Sequence, residues 1–252
     1  MHWLRFDSLV MSNTPIYSAR LSLFNLLTAV ECSKQRGFTP ELLNICCDAS
    51  IAVPVRQAAV IYFKNTIVRL WETSDDSDDS DKNDFCLSDE DKALVKSGII
   101  DAVCAADECL RAQLCIAIQQ IIRMDFPEKW PQFVPQLTTK LSNPPDASIL
   151  SAGLLILYRV AKVYEFKRNK DRDDIAEPIS KMEPFVYYHC HQLMANQSAG
   201  SVLIQIQGLK IIYVLTQFSI HFGMLPTPRL DEWIQFSIDI LGRECPAEAS
   251  SL

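Results

Sequence analysis

"VPVRQAAVIYFKNTIVRLWE", Val53 to Glu72, decides the fold of this 252-residue chain. Its spacing predicts one helix whose apolar residues overrun a single face. Ala58, Ala59, Tyr62, Phe63, Ile67 and Leu70 make a stripe at i, i+3 and i+4, while Val60, Ile61, Val68 and Trp71 fall outside it. A helix apolar on most sides has to be covered on most sides.

Comparable helices recur. The periodicity predicts helices over 16–34, 39–49, 53–72, 89–105, 107–125, 129–142, 146–165, 175–196, 199–222 and 229–242, and no segment shows strict strand alternation. Start signals support several of them. Ser88 precedes an acidic first turn, Pro131 stands in one, and Thr39 is the expected cap ahead of Pro40. Long apolar helices (53–72, 107–125, 146–165, 199–222) alternate with more mixed ones (89–105, 129–142, 175–196, 229–242), and the grouping pairs each long helix with the mixed one after it. The long helices start 54, 39 and 53 residues apart, against about 40–47 for HEAT or armadillo units. The predicted fold is therefore all-α: a right-handed α-solenoid of about five HEAT-type repeats. In such a stack each helix is covered by its partner and by the units on either side. "VRQAAVIYF" and "LRAQLCIAI" both open on an aliphatic residue followed by arginine, so Arg56 and Arg111 are predicted to tie one repeat to the next.

Composition narrows the function. Seven scattered glycines supply no phosphate-binding loop, and no Gly-x-Ser-x-Gly, P-loop or Cys-x-x-Cys occurs. His189, Cys190 and His191 are adjacent, yet i and i+2 positions of a helix diverge, which disfavours a metal site. The expectation is a binding protein that is not an enzyme and needs no cofactor. The nine cysteines lie mostly within helices and no secretory signal opens the chain, so reduced, buried thiols are expected. No apolar run reaches 18 residues uninterrupted, which argues against membrane insertion.

The net charge of −7 is uneven. Nine acidic residues against Lys82 between Ser74 and Asp91 contribute −8, leaving about +1 elsewhere. There is no basic stripe of the kind that follows a nucleic-acid backbone. The run Thr73–Asp84 has no apolar residue. Asp75, Asp76, Asp78, Asp79 and Asp81 could attract basic partners, and the neighbouring serines could be phosphorylated; a solvated insertion is the alternative.

The order of segments resembles one family. "PVRQAAVIYFKNTIVRLW", an acidic loop and "IRMDFPEKWPQFVPQL" are similar to the N-terminal region of importin-β-superfamily receptors, the karyopherins. "YEFKR", "SVLIQIQGLKIIYVLTQFS" and "LDEWIQFSIDILGRECP" are similar to its importin seven/eight branch. The likeness runs from about Gly37 to Pro246, while 1–36 match poorly around a degenerate first helix. It implies an importin-β N-terminal, Ran-binding domain over 37–105 with an acidic loop at 73–88, and further repeats over 106–252. "CPAEASSL" offers no polar capping helix, so the expectation is a fragment of a longer solenoid.

The resemblance further implies nuclear import, with shuttling between cytoplasm and nucleus through the pore. Implied partners are Ran-GTP, basic protein cargo, Phe-Gly nucleoporins and importin-β itself as a co-receptor, with no direct nucleic acid. An exportin-type receptor, or a HEAT scaffold unrelated to transport, is the alternative. In the family Ran docks on the inner helices, here 39–49, 89–105, 129–142 and 175–196. The candidate contacts are Glu41, Asn44, Lys92, Lys96, Gln132, Gln136 and Lys140, with ordinary solvated faces as the competing reading. Phe218, Phe222 and Trp233 are candidate Phe-Gly liners or, equally, core residues.

Overall fold

The computed structural model describes residues 35–72, 86–196, 198–218 and 220–244. The helix expected over 16–34 lies outside them. Nine α-helices fill the described residues: α1 (Phe38–Cys47), α2 (Val53–Leu70), α3 (Asp89–Ala105), α4 (Glu108–Asp125), α5 (Phe133–Ser142), α6 (Ala147–Tyr164), α7 (Asp173–Gln192), α8 (Ala199–Thr216) and α9 (Thr227–Leu241). The long helices α2, α4, α6 and α8 stack in one layer and α1, α3, α5 and α7 in the other, giving the expected all-α solenoid of helical repeats.

Three local expectations change. The α1 cap is Gly37 at φ 81, a left-handed conformation that suits glycine, and its amide donates to Asp91 Oδ1 at 2.8 Å. Thr39 is instead fully buried, its Oγ1 without a hydrogen-bond partner. Helix α5 begins at Phe133, so Pro131 belongs to the preceding turn. There Phe126, Trp130 and Phe133 pack edge-on, with ring centroids 5.3 and 4.9 Å apart, and this cluster bends the chain before the helix starts. The pairing also shifts by one: the closest consecutive packing joins α1 to α2, α3 to α4, α5 to α6 and α7 to α8. These pairs are linked by short turns, whereas a longer connector follows each long helix.

Ser88 does cap α3, its hydroxyl accepting from the Asp91 amide at 3.2 Å. Both arginines act as inter-repeat ties. Arg56 donates through Nε to the Cys46 carbonyl at the end of α1 (3.0 Å) and through Nη1 to Asp107 at the start of α4 (2.8 Å). Arg111 repeats this one unit on, donating to the Val103 and Ala106 carbonyls at 3.1 and 3.0 Å and to Ser148 Oγ in the first turn of α6 at 3.1 Å. Each arginine thus satisfies helix-terminal carbonyls that have no partner within their own helix.

On α2, Ala59, Val60, Phe63 and Ile67 are buried, as is Trp71 just past its end, while Ala58, Ile61 and Val68 face outward. The long apolar helices α6 and α8, each 18 residues, are apolar enough to span a membrane by length and composition, and they pack against each other in the stack. Gly208 on α8 permits a close approach, since a Cβ there would lie 2.4 Å from Cys190 Sγ on α7.

Burial pushes the thiols of Cys46 and Cys190 up to about 12 and that of Cys115 to about 11. At pH 8 they stay protonated and sealed from solvent, whereas Cys109 is exposed. Brief native iodoacetamide treatment, mapped by peptide mass, should alkylate Cys109 and reach the other three only after denaturation. Comparable labelling of Cys46 or Cys190 in the folded chain would contradict this packing.

Candidate functional site: the polar face of the mixed helices

The seven residues singled out on the mixed helices fall into three local groups. On α1, Asn44 Nδ2 donates to Glu41 Oε2 at 3.1 Å, and both side chains are exposed. On α3, Lys92 and Lys96 share a face one turn apart, as their spacing predicts. Lys92 Nζ stands 6.0 Å from the Trp71 ring centroid and donates to Cys86 Sγ at 3.4 Å. Lys96 Nζ lies 2.8 Å from both Asp125 Oδ2 and the Lys129 carbonyl. Asp125 in turn accepts from the Trp71 indole at 3.0 Å. Lys96 is therefore an internal strut as much as a surface cation.

The third group lines a shallow groove between α3 and α5, bounded by Ser97, Ile100, Asp101, Gln136, Thr139 and Lys140. Lys140 Nζ meets Asp101 Oδ1 at 2.6 Å, and this hydrogen bond holds the lysine above its ordinary pKa. Gln136 Oε1 is buried there without a protein partner, whereas Gln132 is exposed at the start of α5. The groove presents an ion pair, an orphaned amide oxygen and two hydroxyl-bearing residues, groups suited to contacting polar and charged ligands.

Asp75, Asp76, Asp78, Asp79 and Asp81 lie outside the described residues. The residues flanking that run are joined: the Leu87 amide donates to the Leu70 carbonyl at 2.9 Å and Cys86 Sγ contacts the Trp71 carbonyl at 3.5 Å. The acidic insertion is thereby rooted beside Lys92.

His189 Nε2 contacts the Leu141 carbonyl at 2.8 Å, Cys190 is buried against α8, and the His191 ring lies 5.7 Å from Tyr187. The three side chains point apart. Trp233 is 1% exposed, its indole donating to Glu183 Oε1 at 2.6 Å, so it cannot line an outer notch. Phe218 and Phe222 are exposed. Asp101, Asp107, Asp125 and Glu183, the acids that organise these contacts, were not among the residues picked from the sequence. Asp107 alone carried a signal, as a cap-type residue just ahead of α4.

A two-layer helical stack tied by inter-repeat arginines defines a helical-repeat scaffold. Residues 26–105 match the Importin-beta N-terminal domain and residues 107–206 match the Exportin 1-like protein family. The chain belongs to the importin-β superfamily. It is 30% identical to Importin-8 of Mus musculus over 212 residues, which is 84% of this chain and 21% of that protein. It is 23% identical over 226 residues to the Probable importin-7 homolog of Dictyostelium discoideum, covering 87% of this chain and 20% of that one. Among solved structures it resembles the exportin Cse1 in its cargo-free, cytoplasmic state, with TM-score 0.71 and 19% identity over 92% of this chain and 25% of that one. It also resembles Lph2, a bidirectional nuclear transport receptor of S. cerevisiae, with TM-score 0.67 and 20% identity over 79% of this chain and 20% of that one. The chain spans about one-fifth of the length of these curated relatives. Members of this family are nuclear transport receptors.

Proposed function

We propose that this chain supplies the GTPase-binding repeats of an importin-type receptor, recognising Ran in its GTP form and taking part in import of basic protein cargo. The observation that carries this reading is the Importin-beta N-terminal domain match over 26–105, which includes α1, α3 and the root of the acidic insertion. On it, 37–105 is the Ran-binding domain and the repeats from 106 onward extend its surface. Glu41, Asn44, Lys92, Gln132, Gln136 and Lys140 present the polar contacts, and Lys96 fixes the α3 face from beneath. The activity is binding, without catalysis or cofactor. The receptor shuttles between cytoplasm and nucleus, meeting Phe-Gly nucleoporins and, as a co-receptor, importin-β. The acidic insertion attracts basic cargo.

An exportin-type cycle is the second reading, favoured by the Exportin 1-like match over 107–206. The test is retention of Ran on the immobilised chain, loaded with GTP or with GDP. The expected result is retention of the GTP form alone, weakened about tenfold or more by Lys92→Glu with Lys140→Glu, since each lost charge contact is worth about 1 kcal/mol or more. A folded chain that retains neither form overturns the proposal. Basic cargo added next separates the two cycles: Ran-GTP releases it from an importin and tightens it on an exportin.

A further inference from the structure

The connectors that follow α6 and α8 are laced together. Gln217 Nε2 donates to Glu165 Oε1, and Asn169 Nδ2 donates to the Ile220 carbonyl at 3.3 Å. The buried Arg172 donates through Nη2 to the Leu215 carbonyl at 2.9 Å, and His221 Nε2 meets Asp173 Oδ1 at 2.8 Å. These links tie the two connectors into one platform. On its outer side Phe166 is 78% exposed and Phe218 63% exposed, their ring centroids 5.1 Å apart and tilted at 46°. Phe222 on the same connector is also 63% exposed. Burying a phenylalanine is worth about 1.5–3 kcal/mol, and adjacent rings held in water forgo much of that gain.

Three basic residues follow Phe166 on its connector. Lys167, Arg168 and Lys170 are all exposed, and Lys167 Nζ lies 4.5 Å from the Tyr164 ring centroid. The nearby acids have partners or local duties. Asp171 takes Arg168 at 3.2 Å, and Asp173 and Asp174 occupy the first turn of α7, where carboxylates offset the helix dipole. Among the described residues, Lys167 and Lys170 make no ion pair. The ring pair is thus flanked by two exposed lysines that have no ion-pair partner among the described residues.

We propose that this patch docks an acidic peptide segment of a partner protein that carries a large apolar side chain. The apolar side chain covers the tilted Phe166–Phe218 pair, and its flanking carboxylates pair with Lys167 and Lys170. Charge complementarity selects this occupant. An anionic lipid surface fits less well, because the exposed rings are too few for stable insertion.

The test is fluorescence anisotropy on the intact 252-residue chain. The probe is a fluorescein-labelled synthetic peptide of about twelve Asp, Glu and Ser residues with two central phenylalanines. Binding should be saturable and salt-sensitive. It should fall about tenfold or more with Phe166→Ser plus Phe218→Ser, and again with Lys167→Glu plus Lys170→Glu. Because these side chains are exposed, circular dichroism and melting should not change, which separates lost docking from lost folding. Four outcomes overturn the proposal: equal binding of the same peptide with serine for phenylalanine, equal binding of a neutral Phe-Gly peptide, patch-dependent binding only to phosphatidylserine vesicles, or patch-dependent self-association in sedimentation. The patch is remote in sequence from the proposed GTPase contacts, so a failed Ran pull-down leaves this result intact, and the patch variants should retain whatever Ran binding the parent has.

Discussion

Phe63→Asp is expected to abolish cooperative folding of the first repeats. The Phe63 side chain is fully buried in α2, within the apolar cluster that includes Val60, Ile67 and Trp71. Removing the ring alone costs about 3–5 kcal/mol through lost contacts and an unfilled cavity. Aspartate adds the desolvation of a carboxyl with no partner, which costs several kcal/mol more even when the group takes up a proton. Together these approach the whole stability of an ordinary domain, about 5–15 kcal/mol. Because a solenoid is held by nearest-neighbour contacts, the loss should begin at α1 and α2 and spread along the stack. Circular dichroism should report reduced helicity and a broadened, lowered melt. The companion variant Ile61→Asp lies on the same helix at a position 47% exposed, and it should melt within about 0.5 kcal/mol of the parent. Equal effects of the two variants would show that α2 is turned differently about its axis.

That contrast marks what the sequence pattern can resolve. Apolar excess on α2 required cover on several sides, and α1 and α4 provide it. Which residues of the excess stay outside was not legible: Ile61 and Val68 face out while Val60 and Trp71 are buried, a choice made by neighbours distant in the chain. Local signals with one mechanism behind them held, as with the Ser88 cap and the Arg56 and Arg111 ties. Signals with a competing partner failed. Thr39 looked like a cap, but the Gly37 amide finds Asp91 Oδ1, 54 residues away, and the threonine turns inward. Trp233 fits a surface notch and a core position equally well in sequence, and its bond to Glu183, 50 residues earlier, selects the core. The candidate contacts suffer the same limit. Periodicity put Lys92 and Lys96 on one face, but nothing in α3 reveals that Lys96 is held by a carboxylate at the end of α4.

That carboxylate carries the second large effect. Asp125 is 5% exposed and accepts from two donors, the Trp71 indole and the Lys96 ammonium, joining α2, α3 and α4 at one atom pair. The arrangement recurs two repeats on, where Glu183 accepts from the Trp233 indole and pairs with Arg229 Nε at 3.2 Å. Burial raises the Glu183 pKa, and the tryptophan and arginine contacts pull it back, as expected for an acid whose charge is accommodated by its partners. Asp125→Ala leaves a buried indole N–H unpaired and a mostly buried ammonium without its counter-ion. The cost should be about 3 kcal/mol in urea denaturation, toward the lower part of the range for breaking a buried pair, because Lys96 keeps the Lys129 carbonyl and some water access. Lys96→Met, which retains the Asp125–Trp71 bond, should cost less. The double variant should be more stable than the sum of the single losses predicts, by about 1 kcal/mol or more. Additive losses would show that Lys96 and Asp125 do not act as a pair. Lys96 would then be a surface cation available to a partner, and the α3 face would present two lysines in place of the one the geometry supports.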